Sequence, residues 1–155
     1  PRGDGSPPWY THAVTKLTVK TCQLCNSEGG DLLWQDDCCR IVRVTEEAYP
    51  GFCRVILQDH ISEMTDLDPP RRERMMQAVY ATESALREMM SPDKINLASL
   101  GNAVPHLHWH VIPRFRGDPH FPGPIWGPSL RLPDTARPNL APSIKKALAK
   151  RLCRL

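Results

Sequence analysis

Between His106 and Val111 polar and apolar residues alternate strictly: His106, His108 and His110 occupy every second position, with Leu107, Trp109 and Val111 among and after them. Period 2 is the mark of a half-buried strand, and it predicts three imidazoles on one face, each about 7 Å from the next. Leu32-Leu33-Trp34, Cys39 to Val44, Phe52 to Leu57 and Ile95 to Leu100 read as further short strands, punctuated by Asp36-Asp37 and by the turn Glu46 to Gly51. An antiparallel meander is the simplest topology for them. One stretch has the other period. Met75, Met76, Val79, Leu86, Met89 and Met90 recur at helical spacing, after an N-cap at Asp68 and prolines at 69 and 70, until Ser91-Pro92 stops the run. The methionine-rich stripe predicts core packing.

The ends of the chain have a different texture. Residues 1–21 read as an N-terminal arm with a short strand at Lys16 to Lys20. Eight prolines from Pro113 to Pro142 exclude regular elements over most of that span, so it is expected to wrap the surface as extended chain before an amphipathic helix at about Ser143 to Leu152. The whole is expected to be one α+β domain over 1–155. It comprises the arm, a core at 22–113 with an antiparallel sheet of about five strands and one long helix, and a Pro-rich C-terminal extension at 114–155.

Composition narrows the classes. With 155 residues and 41% apolar content the chain has room for one core and holds no run long enough to span a membrane. Pro1 to Pro8 contains no apolar signal-like region, so a cytoplasmic location is expected. The net charge of +3, weighted to Lys145, Lys146, Lys150, Arg151 and Arg154, suits an anionic substrate. No basic face interleaved with aromatics points to a nucleic-acid partner. Six cysteines do not make a disulfide scaffold here, which leaves free thiols or thiolates on a metal.

Three titratable rings in place of aliphatics leave two chemical readings: a three-histidine metal cluster, or a nucleophilic histidine supported by its neighbours. A neutral imidazole attacks phosphorus without first losing a proton, provided its other nitrogen is held by an acceptor. Cys22-Gln23-Leu24-Cys25 is by spacing half of a zinc site. Arg114 and Arg116 are phosphate-contact candidates by charge, and the extension is positioned to carry them with Trp126 over the site mouth.

The run His106-Leu107-His108-Trp109-His110-Val111-Ile112 resembles the signature of the histidine triad (HIT) family of nucleotide hydrolases and transferases. The similarity runs from Cys22 to Trp126 and takes in the Cys-x-x-Cys, the Tyr-Pro-Gly turn, the long helix and Gly101-Asn102. Asp118 to Gly127 resembles a proteobacterial-type branch. The resemblance implies that His108 attacks the α-phosphate of a small nucleotide to give a nucleotidyl-histidine. His110 would hydrogen-bond the transferred phosphate or the leaving oxygen, and His106 would orient its neighbour or bind a metal. Asn102 would offer amide donors, and Gly101 would let the backbone come close. It also implies a homodimer and a structural Zn²⁺ held by Cys22, Cys25, His60 and His106, as in branches that include relatives of galactose-1-phosphate uridylyltransferase. Hydrolysis of a phosphoanhydride of the diadenosine-polyphosphate kind is the expected activity. The alternatives are a phosphoramidase, a nucleotidyl transferase, or a nucleotide-binding or zinc-stabilised interaction module without turnover. The chain departs from the family in three places: Glu46 or Glu47 stands where relatives often have an acid for the ribose, Gly51-Phe52 replaces Gly-His, and the loop between Ile95 and Gly101 is shorter.

Overall fold

The computed structural model describes residues 21–133 and 141–153, so the strand expected at Lys16 to Lys20 lies outside the described residues. Five strands, β1 (Asp31–Gln35), β2 (Cys39–Arg43), β3 (Cys53–Leu57), β4 (Lys94–Ala98) and β5 (His108–Arg114), form one antiparallel sheet. Among the described residues three α-helices accompany it: the single turn α1 (Gln23–Asn26), the long α2 (Pro69–Met90) and α3 (Ala141–Leu152).

The strands are ordered β1-β2-β3-β5-β4, which is a meander only as far as β3. The expectation of a simple meander is corrected by α2. Its 22 residues run about 33 Å, enough to carry the chain across the sheet and start β4 one place beyond the neighbouring position. β5 then returns into the gap, hydrogen-bonded to β3 on one side and β4 on the other. The histidine strand is therefore an interior one, paired along both sides.

Register decides which side chains meet. Ile56 pairs with His108 and Arg54 with His110, while Val55 pairs with Trp109 and Cys53 with Val111. Cross-strand partners share a face, so Val55, Cys53 and Val111 lie under α2 and the two histidines lie on the opposite face. The α2 side holds the main core: Leu33, Ile41, Val55, Leu57 and Val111 pack with Met75, Val79 and Leu86 of α2 and with Ile144 and Leu148 of α3. Each such side chain contributes roughly 1.5–3 kcal/mol of burial. The opposite face carries two smaller clusters: Cys22, Leu24, Val42 and Ile56 at one end, and Tyr49, Phe52 and Ile112 at the other.

α2 begins as its sequence dictates. The Asp68 carboxylate accepts the Arg71 amide at 2.9 Å, two prolines fill the first turn, and Ser91 closes the helix in the left-handed region at φ 44°. At Gly51 in the β2–β3 turn (φ +83°) a Cβ would lie 2.4 Å from the Met90 sulfur, so both conformation and space require glycine.

Candidate active site

β5 begins at His108, two residues later than the alternation predicts, and His106 is not a strand residue. The reason is local. The His106 amide donates to Val104 O at 2.8 Å and the Leu107 amide to Ile61 O at 2.7 Å, so neither enters the ladder as the period-2 pattern requires. The three imidazoles consequently do two different jobs.

His106 is fully buried and its ring lies among sulfurs: Nδ1 is 3.5 Å from Cys22 Sγ and 3.4 Å from Cys25 Sγ. His60 approaches the same place, with Nδ1 3.3 Å from Cys25 Sγ and its ring edge-on to that of His106 at 5.3 Å. The ligating atoms of Cys22, Cys25, His60 and His106 lie within 4.8 Å of one another, and they form the only cluster of this kind among the described residues. Tetrahedral zinc, with bonds near 2.3 Å to sulfur and 2.0–2.1 Å to nitrogen, sets adjacent S and N ligands roughly 3.5 Å apart. The three observed S···N separations fit that edge length. The tautomer fits too. Nε2 of His106 donates to Leu57 O at 2.8 Å, which leaves the Nδ1 lone pair aimed at the cluster. Burial, then the neighbouring Cys22, pushes the Cys25 thiol up to about 11, a shift that a bound cation reverses. A metal ion held here would be closed off by four protein ligands and would clamp α1 to the sheet.

His108 faces away from this cluster's chemistry but is fastened to it. Its Nδ1 lies 2.6 Å from the carbonyl of His106, where only an N–H donates, so Nε2 carries the free lone pair. Burial, opposed by that hydrogen bond, lowers its pKa from the ordinary value, with the nearby Arg54 adding to the effect. His110 lies beside it, ring centroids 4.9 Å apart. Burial foremost, then His108 and Arg54, pulls His110 down to about 4, and both of its ring nitrogens are shielded from water without a partner. Phe52, which replaces the histidine of the Gly-His step, stands against His110 at 5.4 Å.

The other predicted residues fall into place less uniformly. Gly101 and Asn102 line a polar hollow of about 290 Å³ with Ser62, Glu63, Pro105 and His106. Asn102 is exposed and makes no side-chain hydrogen bond among the described residues. Gly101 adopts φ +71° with its nearest neighbour 3.8 Å from a notional Cβ, so the turn, rather than a tight contact within the protein, requires glycine. Glu46 and Glu47 are exposed in the β2–β3 turn. Trp126 is 58% exposed, and it is the preceding Ile125 that packs on Tyr49, Phe52 and Ile112.

Arg114, a phosphate-contact candidate by charge, is 2% exposed, and each of its three nitrogens has a partner within the protein: Nε and Nη2 on the two Asp118 oxygens at 2.7 and 3.0 Å, Nη1 on Asn96 at 2.6 Å, and Nη2 again on Gly123 O at 2.8 Å. Arg116, 84% exposed at its side chain, pairs with Asp93. Burial alone would raise the Asp118 carboxyl; Arg114 and the amides of His120 and Phe115 hold it below its ordinary value. Tyr49 hydrogen-bonds His120 and stacks on its ring, completing a pin that fastens the extension to the sheet.

Sequence reasoning passed over Arg54. It sits on β3 opposite His110, half-buried, with Nε shielded and unpartnered and a single 3.4 Å contact from Nη1 to Gly29 O. The alternation alone carries no signal for it: between Cys53 and Val55 a charged residue falls on the face opposite α2, where a solvent-exposed one would also stand.

The comparisons with known proteins agree with this geometry. A sequence profile described as HIT domain matches residues 28–117. A histidine triad protein from Bradyrhizobium japonicum is 27% identical, superposes with a TM-score of 0.66, and is matched over 81% of this chain and 92% of its own. One from Marinobacter aquaeolei is 30% identical, with a TM-score of 0.62 over 81% of this chain and 91% of its own. A zinc-bound histidine triad family protein from Mycobacterium smegmatis is 24% identical, with a TM-score of 0.57 over 85% and 96%. With the profile covering more than half of its length and the same α+β sheet in these neighbours, the chain belongs to the HIT domain family.

Proposed function

We propose that the protein hydrolyses a nucleotide phosphoanhydride, of the diadenosine-polyphosphate class, through a nucleotidyl intermediate on His108. One observation carries the reading: the 2.6 Å contact from His108 Nδ1 to the His106 carbonyl fixes the tautomer and leaves Nε2 as the nucleophile. Nε2 bonds to the α-phosphorus while the bond to the bridging oxygen breaks, and the departing phosphate takes the electron pair. His110, kept uncharged, donates its one N–H to an oxygen on which charge accumulates. Water then attacks the P–N bond, its proton passes to solvent, and His108 is regenerated. Phosphoramidate or transferase chemistry would use the same atoms.

Zinc at Cys22, Cys25, His60 and His106 is proposed as the structural ion, supported by the donor set and by the zinc-bound relative. When bound it supplies cross-linking, not chemistry. The setting is a reducing cytoplasm, in keeping with six free cysteines, and the assembly is a homodimer, for which the outer edge of β4 is unpaired among the described strands.

The test is to trap the intermediate. The wild type incubated with an α-phosphate-labelled nucleotide and quenched in alkali should retain label; His108→Ala should retain none and lose at least roughly a thousandfold in kcat. Label that persists in the variant refutes the assignment.

A further inference from the structure

Three polar nitrogens on one patch of the sheet have lost water and gained nothing in return: Nε of Arg54 and both ring nitrogens of His110. The two residues are cross-strand partners, which brings their Cβ atoms to within about 4.5–5.5 Å. The two arginines that are buried outright are treated differently, and Arg72, whose Nε is also shielded and unpartnered, lies on α2 across the sheet from the histidines. Arg40 reaches Glu28 O, Gln58 Oε1, Leu24 O and Ser27 O, and Arg114 has a carboxylate, an amide and a carbonyl. Arg54 has one long contact to a carbonyl and the face of Phe52 at 5.6 Å. Among the described residues no carboxylate pairs with it.

A cation carried into a half-buried site without a counter-ion loses hydration that one cation–π contact only partly returns. Such an arrangement persists where the missing anion arrives with a ligand. The neighbours specify that ligand: two uncharged imidazoles, one of them a donor, and a guanidinium whose Nε–H is fixed by the strand. Together they suit an oxygen-rich dianion.

We infer that Arg54 is a phosphate-binding residue, whose guanidinium takes an oxygen of the substrate's phosphate chain beside His110. The inference rests on the nucleotide reading above and adds to it the group that neutralises the substrate's charge. It also assigns specificity: a nucleoside without phosphates finds an unpaired cation at this position and is rejected.

Inorganic pyrophosphate probes the residue without involving the base. Wild type, Arg54→Met and Arg54→Lys are compared by calorimetric titration and by melting with and without pyrophosphate, and in parallel by labelling from an α-labelled nucleotide. Arg54→Met is expected to bind pyrophosphate roughly tenfold to a hundredfold more weakly. Without the anion it should melt no lower than the wild type, because the unpaired charge is gone. Arg54→Lys, which keeps the charge without the fork, should fall between. Three results overturn the assignment: equal pyrophosphate binding by wild type and Arg54→Met, no pyrophosphate binding by the wild type, or an Arg54→Met chain that fails to fold. If His108 labels normally in those cases, nucleotide chemistry stands without Arg54. If pyrophosphate binding is lost in Arg54→Met while no chain labels, Arg54 stands and the nucleotide chemistry does not.

Discussion

His110 is the residue whose environment departs furthest from that of a surface imidazole. Burial, His108 and Arg54 all disfavour its cation and bring its pKa from 6.5 to about 4. Between those values the unfolded chain holds a proton at this site and the folded chain does not, so ∂ΔG/∂pH is positive across the window and stability is lost as pH falls from 6.5 toward 4. At pH 5 the loss from this one ring is up to roughly 2 kcal/mol relative to pH 7. Urea denaturation at the two pH values should find it in the wild type. In His110→Leu the difference should shrink by about that amount; an unchanged slope would place the proton uptake elsewhere. At physiological pH the same shift leaves His110 uncharged, which is the state the proposed reaction asks of it and one that does not repel Arg54.

At the scale of elements, the extension after β5 is held by one buried ion pair. Removing one partner of such a pair leaves the other uncompensated and costs about 3–5 kcal/mol. Asp118→Asn should therefore lower stability by that order and open the segment from Phe115 to Arg131 to limited proteolysis. Arg114→Gln should do the same, with its effect in melting temperature and little of it in KM at temperatures where the variant is folded. A selective rise in KM for nucleotide would return Arg114 to the site. This pair also marks where the sequence was legible and where it was not. Local rules acted alone at the start of α2, where Asp68 caps and two prolines fill the first turn, and the helix lies where they place it. The alternation of histidines likewise located the site. The period could not reveal that the chain joins the ladder only at His108, because the His106 amide turns back to Val104 O and the Leu107 amide goes to Ile61 O, a partner 46 positions away in the chain. Nor could charge alone tell Arg114 from Arg54. Both are arginines on the face of the sheet opposite α2, and only the tertiary partners, a carboxylate for one and none among the described residues for the other, set them apart. The strand order is a similar case, since it follows from how far α2 carries the chain.

At the scale of the molecule, the cysteine–histidine cluster and His108, the proposed nucleophile, are physically continuous. The His106 ring belongs to the cluster, its Nε2 is tied to Leu57 at the end of β3, and its carbonyl holds His108. A metal that fixes His106 thus fixes the tautomer of His108 through the backbone, without contributing to the reaction. Protein purified without chelator is expected to contain about one equivalent of zinc per chain by atomic emission; less than roughly a tenth of an equivalent would remove the ion from this account. Cys22→Ser should lose the metal and lower the melting temperature, because one buried ligand is gone and α1 is freed from the sheet. Activity then distinguishes a structural ion from a reacting one. If zinc clamps the fold, turnover after chelation should decay with the same time course as the loss of tertiary circular dichroism, and cooling should slow both together. Were activity to vanish at once while the folded signal persisted, the metal would have to sit on the reacting phosphate. The fixed Nε2 of His108 would then no longer account for the chemistry.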